Sequence, residues 1–97
     1  MVSLASMVKV SEDLVSADLG GEIAILGLEN GVYYGLDAVG ARIWELIQEP
    51  IRVGDVRDNI LNEYDVEPER CNGDLLVFFE DMASQGLVAI IEIEQNS

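Results

Sequence analysis

The chain has 97 residues, 49% hydrophobic and 25% charged, a globular composition that fits one domain with a modest core. Its 19 acidic and 5 basic residues give a formal charge of -14, and the basic ones (Lys9, Arg42, Arg52, Arg57 and Arg70) form no tract. That balance argues against a nucleic-acid partner, because phosphates need clustered lysine and arginine. The lone cysteine, Cys71, forbids an internal disulfide; the first residues lack the pattern of a signal peptide, and no apolar run spans a bilayer. A cytoplasmic protein without membrane attachment is expected.

The ends, residues 1–10 and 94–97, read as loosely ordered. Leu14 to Ala17 is expected as a first strand, and Asp18-Leu19-Gly20-Gly21 as the turn that follows it. Glu22 to Glu29 reads as a second strand. Asn30-Gly31 then suggests a two-residue hairpin turn, since both positions tolerate positive φ. Val32 to Leu36 follows as a third strand, with Val32, Tyr34 and Leu36 on one face and Tyr33 on the other. Two short connections in succession imply an antiparallel meander. One edge of its last strand then has no partner among the preceding strands, and such an edge is either protected or used.

Asp37 is placed to cap a helix from Ala38 to Gln48. Val39, Ile43, Leu46 and Ile47 form its apolar stripe, with Trp44 expected beside it near the rim. Gly40 is unfavourable inside a helix, which suggests close approach of another backbone, such as the sheet. Pro50 ends this helix. A second helix is expected from Gly54 or Asp55 to Tyr64, with Val56, Ile60, Leu61 and Tyr64 as its apolar face. Glu67-Pro68-Glu69 reads as the start of a third, which Gly86 stops. Cys71, Leu75, Phe78, Phe79 and Met82 make the main stripe of this third helix. Leu76, Val77 and Ala83 widen the stripe beyond the needs of one packing surface. Leu87 to Ile93 is a short strand or extended tail. The expected architecture is an α+β fold, three strands followed by three helices.

The chemistry of catalysis is thin. There is no histidine, so the commonest general base and metal ligand is missing. Cys71 falls on an apolar stripe, where a small buried residue is the simpler reading than a nucleophile. Gly20-Gly21 lacks the helix and lysine of a phosphate loop. The carboxylates show neither a paired apolar setting nor calcium-loop spacing. No cofactor, no metal and no enzymatic activity are expected.

Several segments together carry a family pattern. They are Gly31-Val32-Tyr33-Tyr34-Gly35-Leu36-Asp37, Gly40-Ala41-Arg42-Ile43-Trp44-Glu45-Leu46, Glu63-Tyr64-Asp65-Val66, Asp74-Leu75 with Phe78 and Met82, and Gly86-Leu87-Val88. In order and spacing they resemble the PqqD-like family, recognition elements for the precursors of ribosomally synthesised, post-translationally modified peptides. The stand-alone length, the Tyr-Tyr strand and the stretch from Tyr64 to Cys71 look most like the versions from lasso-peptide biosynthesis.

The resemblance implies a winged-helix-like fold and a non-catalytic task. That task is to bind the leader segment of a precursor peptide as an added strand, between the third strand and the third helix. It implies that Val32, Tyr33 and Tyr34 form the strand wall, that Leu75, Phe78, Phe79 and Met82 are the helix contacts, and that Asp74 and Asp81 meet a basic leader residue. Which of Phe78 and Phe79 faces the groove stays open at this stage. The implied partners are the leader peptide, a transglutaminase-like leader-cleaving protease and the lasso cyclase. A free strand edge and an over-wide apolar helix are also what strand addition needs. The competing readings are a winged-helix DNA-binding regulator, which the charge of -14 disfavours, and a peptide chaperone of the pyrroloquinoline quinone pathway.

Overall fold

The computed structural model describes residues 2–29 and 31–91. Among them it shows an α+β fold with antiparallel sheets and three helices, in the order β1 (Met7–Val10), β2 (Leu14–Asp18), β3 (Ile23–Gly27), β4 (Tyr33–Leu36), α1 (Ala38–Leu46), β5 (Ile51–Arg52), α2 (Val53–Glu63), α3 (Pro68–Ser84) and β6 (Val88–Ile91). Strands β2, β3 and β4 are the expected meander, and α1 to α3 follow it. Around this frame lies a second sheet of order β5-β1-β6.

The second sheet corrects one expectation. Residues 7–10 are not loose: β1 pairs with β6, Val8 opposite Ile90 and Val10 opposite Val88, and with β5, Val8 opposite Ile51. Val8 is fully buried and Val2 nearly so. The N-terminal segment is further held by the Val2 amide, which donates to Glu80 Oε1 at 2.8 Å, and by Leu4 O, which accepts from Gly54 N at 2.9 Å. A four-residue strand whose partner lies some 80 residues away has no local signature, which is why the sequence alone left it undefined. Residues 94–97 lie outside the described residues.

The hairpin differs in detail. Gly27 N donates to Val32 O at 2.9 Å, so the chain reverses over four residues, 28–31, rather than two. Gly31 N closes the turn onto Gly27 O at 2.9 Å, with Gly31 at φ +67°. Gly31 therefore takes the left-handed conformation that its lack of a Cβ allows. Asn30 is outside the described residues.

Asp37 caps α1 as its position promised, Oδ1 accepting from Gly40 N at 2.8 Å. Gly40 serves that cap and the strand end, not a sheet backbone. A Cβ there would lie 3.2 Å from Leu36 Cβ and 3.3 Å from Asp37 Oδ1. Trp44 is buried at 3% exposure rather than at a rim, because Trp44 and Ile43 both enter the core that α1 shares with the sheets. Helix α3 begins with Pro68 at its first turn and ends in a Schellman arrangement. There Leu87 N donates to Met82 O at 2.9 Å and Gly86 N to Ala83 O at 3.0 Å, with Gly86 at φ +78°. Its buried stripe is Cys71, Leu75, Phe79 and Met82. Arg42 of α1 makes a bidentate contact with Glu63 at the end of α2, both nitrogen–oxygen distances 2.8 Å. It holds the two helices in register at the surface and lowers the Glu63 pKa.

Candidate functional site: an apolar groove beside an open strand edge

Strand β4 borders the β2-β3-β4 sheet. Its register against β3 sets Ile25 opposite Tyr34 and Ile23 opposite Leu36. The Gly27–Val32 bond marks a hydrogen-bonded pair, and such pairs alternate along an antiparallel ladder. Val32, Tyr34 and Leu36 therefore turn their main-chain groups toward β3. Tyr33 and Gly35 turn theirs toward the open edge, where no strand pairs among the described residues.

The inner face of β4 looks onto an apolar groove. A cavity of about 350 Å³ is walled by Tyr34 and Leu36 on one side and by Cys71, Leu75 and Phe78 of α3 on the other. Val39 and Ile43 of α1, Ile60 of α2 and Val66 of the α2–α3 link complete it. This size lies at the lower end of ordinary ligand sites, roughly 300–1,000 Å³. Phe78 and Phe79 divide the labour that the sequence left open. Phe79 is fully buried, while Phe78 is half-buried and lines the groove. Their rings meet edge to face, centroids 5.4 Å apart at 77°, so the core ring braces the groove ring.

Polar groups sit at the ends. Tyr34 Oη donates to Asp81 Oδ2 at 2.6 Å, tying β4 to α3. That bond, with partial burial and the Asp81 charge, raises the Tyr34 pKa above the usual phenol value, since ionisation would set two anions together. Arg70 Nε stands 3.7 Å from Asp74 Oδ2, but both side chains are largely exposed and the pair is weak. Burial, and then the Asp74 carboxylate, push the Cys71 thiol up, which keeps it protonated and unreactive. Among the described residues no group of three or more histidine, cysteine or carboxylate side chains is placed to hold a metal ion, and no helix is long and apolar enough to cross a membrane.

Of the sequence-chosen residues, Tyr34, Asp74, Leu75 and Phe78 line the groove, and Asp81 stands at its edge through Tyr34. Val32 is half-buried on the same face of β4. Tyr33, 69% exposed, lies on the opposite face. Phe79 and Met82 are corrected: both are at 0% exposure and offer no surface to a ligand. They share a stripe with groove residues because a helix stripe alone does not say how deep each member sits. Val39, Ile43, Ile60 and Val66 also line the groove, though the sequence offered them only as apolar helix faces or as part of the family pattern. No signal in the sequence set them apart, since a stripe position does not say whether it meets the core or a groove.

Residues 22–88 match the family model for coenzyme PQQ synthesis protein D. The chain belongs to the PqqD family. The matched span runs from the start of β3 to the start of β6, so it takes in every wall of the groove. The chain is also similar to the solved structure of TbiB1 in complex with the TbiA(beta) leader peptide, at 37% identity and a TM-score of 0.78, over 90% of this chain and 99% of that one. A lasso peptide synthetase B1, solved complexed with the leader peptide, shares the fold at 18% identity and a TM-score of 0.75, over 84% and 96% of the two chains. No curated protein matches at a significant level.

Proposed function

We propose that the protein is a non-catalytic, cytoplasmic holder of the leader segment of a ribosomal precursor peptide, of the lasso type. The leader adds as a further strand along the open edge of β4. It is hydrogen-bonded to Tyr33 and Gly35, with alternate side chains lodged in the groove against Leu75 and Phe78. In this position it is offered to a leader-cleaving, transglutaminase-like protease, and the lasso cyclase acts afterwards. The observation that carries the reading is the conjunction of a strand edge that no strand pairs among the described residues with an apolar groove running beside it. The similarity to TbiB1, itself solved with a leader peptide, supports it.

Hydrogen exchange tests the strand directly. In the free protein the amides of Tyr33 and Gly35 exchange quickly, while those of Tyr34 and Leu36, bonded to β3, are already slow. Saturating the protein with a synthetic leader from the cognate precursor slows Tyr33 and Gly35. Tyr33→Pro removes one outward donor, so binding is lost while the fold survives. Fast exchange at both amides under saturation rules out strand addition at this edge.

A further inference from the structure

Strand addition on β4 would show the peptide to both faces of the sheet, and the outer face is also shaped to receive a side chain. Along that face the strands align in two rows. Val15, Leu26 and Tyr33 stand opposite one another across β2, β3 and β4, at 51%, 42% and 69% exposure. The next row is Ala17, Ala24 and Gly35, two methyl groups and no side chain at all. The apolar first row thus walls a trough whose floor drops to backbone at the open edge. A cavity of about 250 Å³ lies there, lined by Leu19, Glu22, Ala24, Tyr33, Gly35 and Asp37. Among the described residues no basic side chain lines it. The Glu22 carboxylate and Asp37 Oδ2 have no hydrogen-bond or ion-pair partner among the described residues, Asp37 Oδ1 being engaged as the α1 cap.

Resting on the leader-strand reading above, we propose that this trough is a second specificity subsite, one that takes a lysine or arginine of the bound peptide. In an antiparallel pairing the residue directly opposite Gly35 points to the same face as Gly35. Neighbouring strands lie about 4.8 Å apart, so a long side chain leaving that position crosses β4 over the missing Cβ and reaches Ala24 on β3. Its methylene stem lies against Tyr33 and Leu19, and its tip meets Glu22 and Asp37. A short or acidic side chain there gains neither contact. The leader is then read twice: by apolar residues inward at the α3 groove and by a cation outward.

Ala24 makes the test clean. It stands on β3 in the middle of the low row and lines the trough, away from the β4 edge that holds the leader main chain. Ala24→Leu therefore fills the trough from its floor. The probe is a display library of randomised extended peptides, selected on the folded protein and on two variants, Ala24→Leu and Glu22→Lys, each first shown to melt like the parent. The parent selects apolar residues at alternate positions and lysine or arginine at one intervening position. Ala24→Leu keeps the apolar alternation and loses the basic enrichment by about tenfold, the joint effect of stem burial and an exposed ion pair. Glu22→Lys turns the preference toward aspartate or glutamate. Apolar alternation without an intervening basic preference overturns the subsite alone, as does a basic preference that both variants leave untouched. Failure to select any peptide overturns the leader reading itself, and the subsite with it.

Discussion

Two adjacent phenylalanines provide the sharpest separation of fold from function. Phe79 is fully buried and Phe78 half-buried in the groove wall. Phe79→Ala removes a wholly packed ring and leaves a cavity, a loss of about 3–5 kcal/mol. For a domain of this size each kcal/mol is worth roughly 4–8 °C, so its melting temperature falls by about 15–30 °C. Against a total stability of about 5–15 kcal/mol, that loss removes a large share of the margin that keeps the domain folded. Phe78→Ala loses only the half of the ring that touches the core, about 1–2 kcal/mol. Its melting temperature falls by about 5–15 °C. For binding the order reverses. Loss of an aromatic anchor from a groove costs about 2 kcal/mol or more, which is about thirtyfold in Kd. Circular dichroism melts and calorimetric titration of the leader peptide, at a temperature where both variants are folded, read the two effects separately. Phe79→Leu, which keeps most of the volume, should bind nearly as the parent does. A folded Phe78→Ala that binds the leader with parental affinity would refute the assignment of Phe78 to the groove. Equal destabilisation by the two alanines would refute the division of the pair.

Three further expectations follow from the same geometry. Gly31→Val forces a β-branched residue to the φ of +67° seen at Gly31, costing about 1–2 kcal/mol, and should lower both the melting temperature and leader affinity; an unchanged melt would remove the turn from the account. The Tyr34–Asp81 bond needs a protonated phenol and raises the Tyr34 pKa. Its contribution is therefore full below the ordinary phenol pKa near 10 and is lost as pH rises through the higher folded value. The tyrosinate absorbance should reach its plateau at lower pH in Asp81→Asn than in the parent, and identical titrations would deny the bond. Random duplex DNA should not bind in a low-salt anisotropy titration, given a net charge of -14; micromolar binding would revive the regulator reading.

The sequence carried much of this on local grounds. Asp37 before an apolar-periodic run, Pro68 after Glu67, and Gly86 beyond Ser84 mark helix ends through local main-chain requirements that need no distant partner, and the start of α1 and both ends of α3 fall within two residues of them. The alternation Val32, Tyr34, Leu36 against Tyr33 likewise follows from the two-residue period of a strand. The family pattern was spread through the same segments, and the matched span covers them.

What local chemistry did not contain was depth and distance. Trp44, Phe78, Phe79 and Met82 all read as apolar. Only the packing of α3 against α2 and β6, and of α1 against the meander, decided which ring became core and which became groove wall. The β5-β1-β6 sheet joins residues 7–10 to 88–91, a pairing with no turn between its strands to announce it. The groove itself belongs to no single element, since its walls come from β4, α1, α2, α3 and the link before α3. The sequence determined the elements and their capping because those depend on neighbours within a few residues. The site was decided by tertiary structure, because a concave surface exists only once separate elements have been brought together.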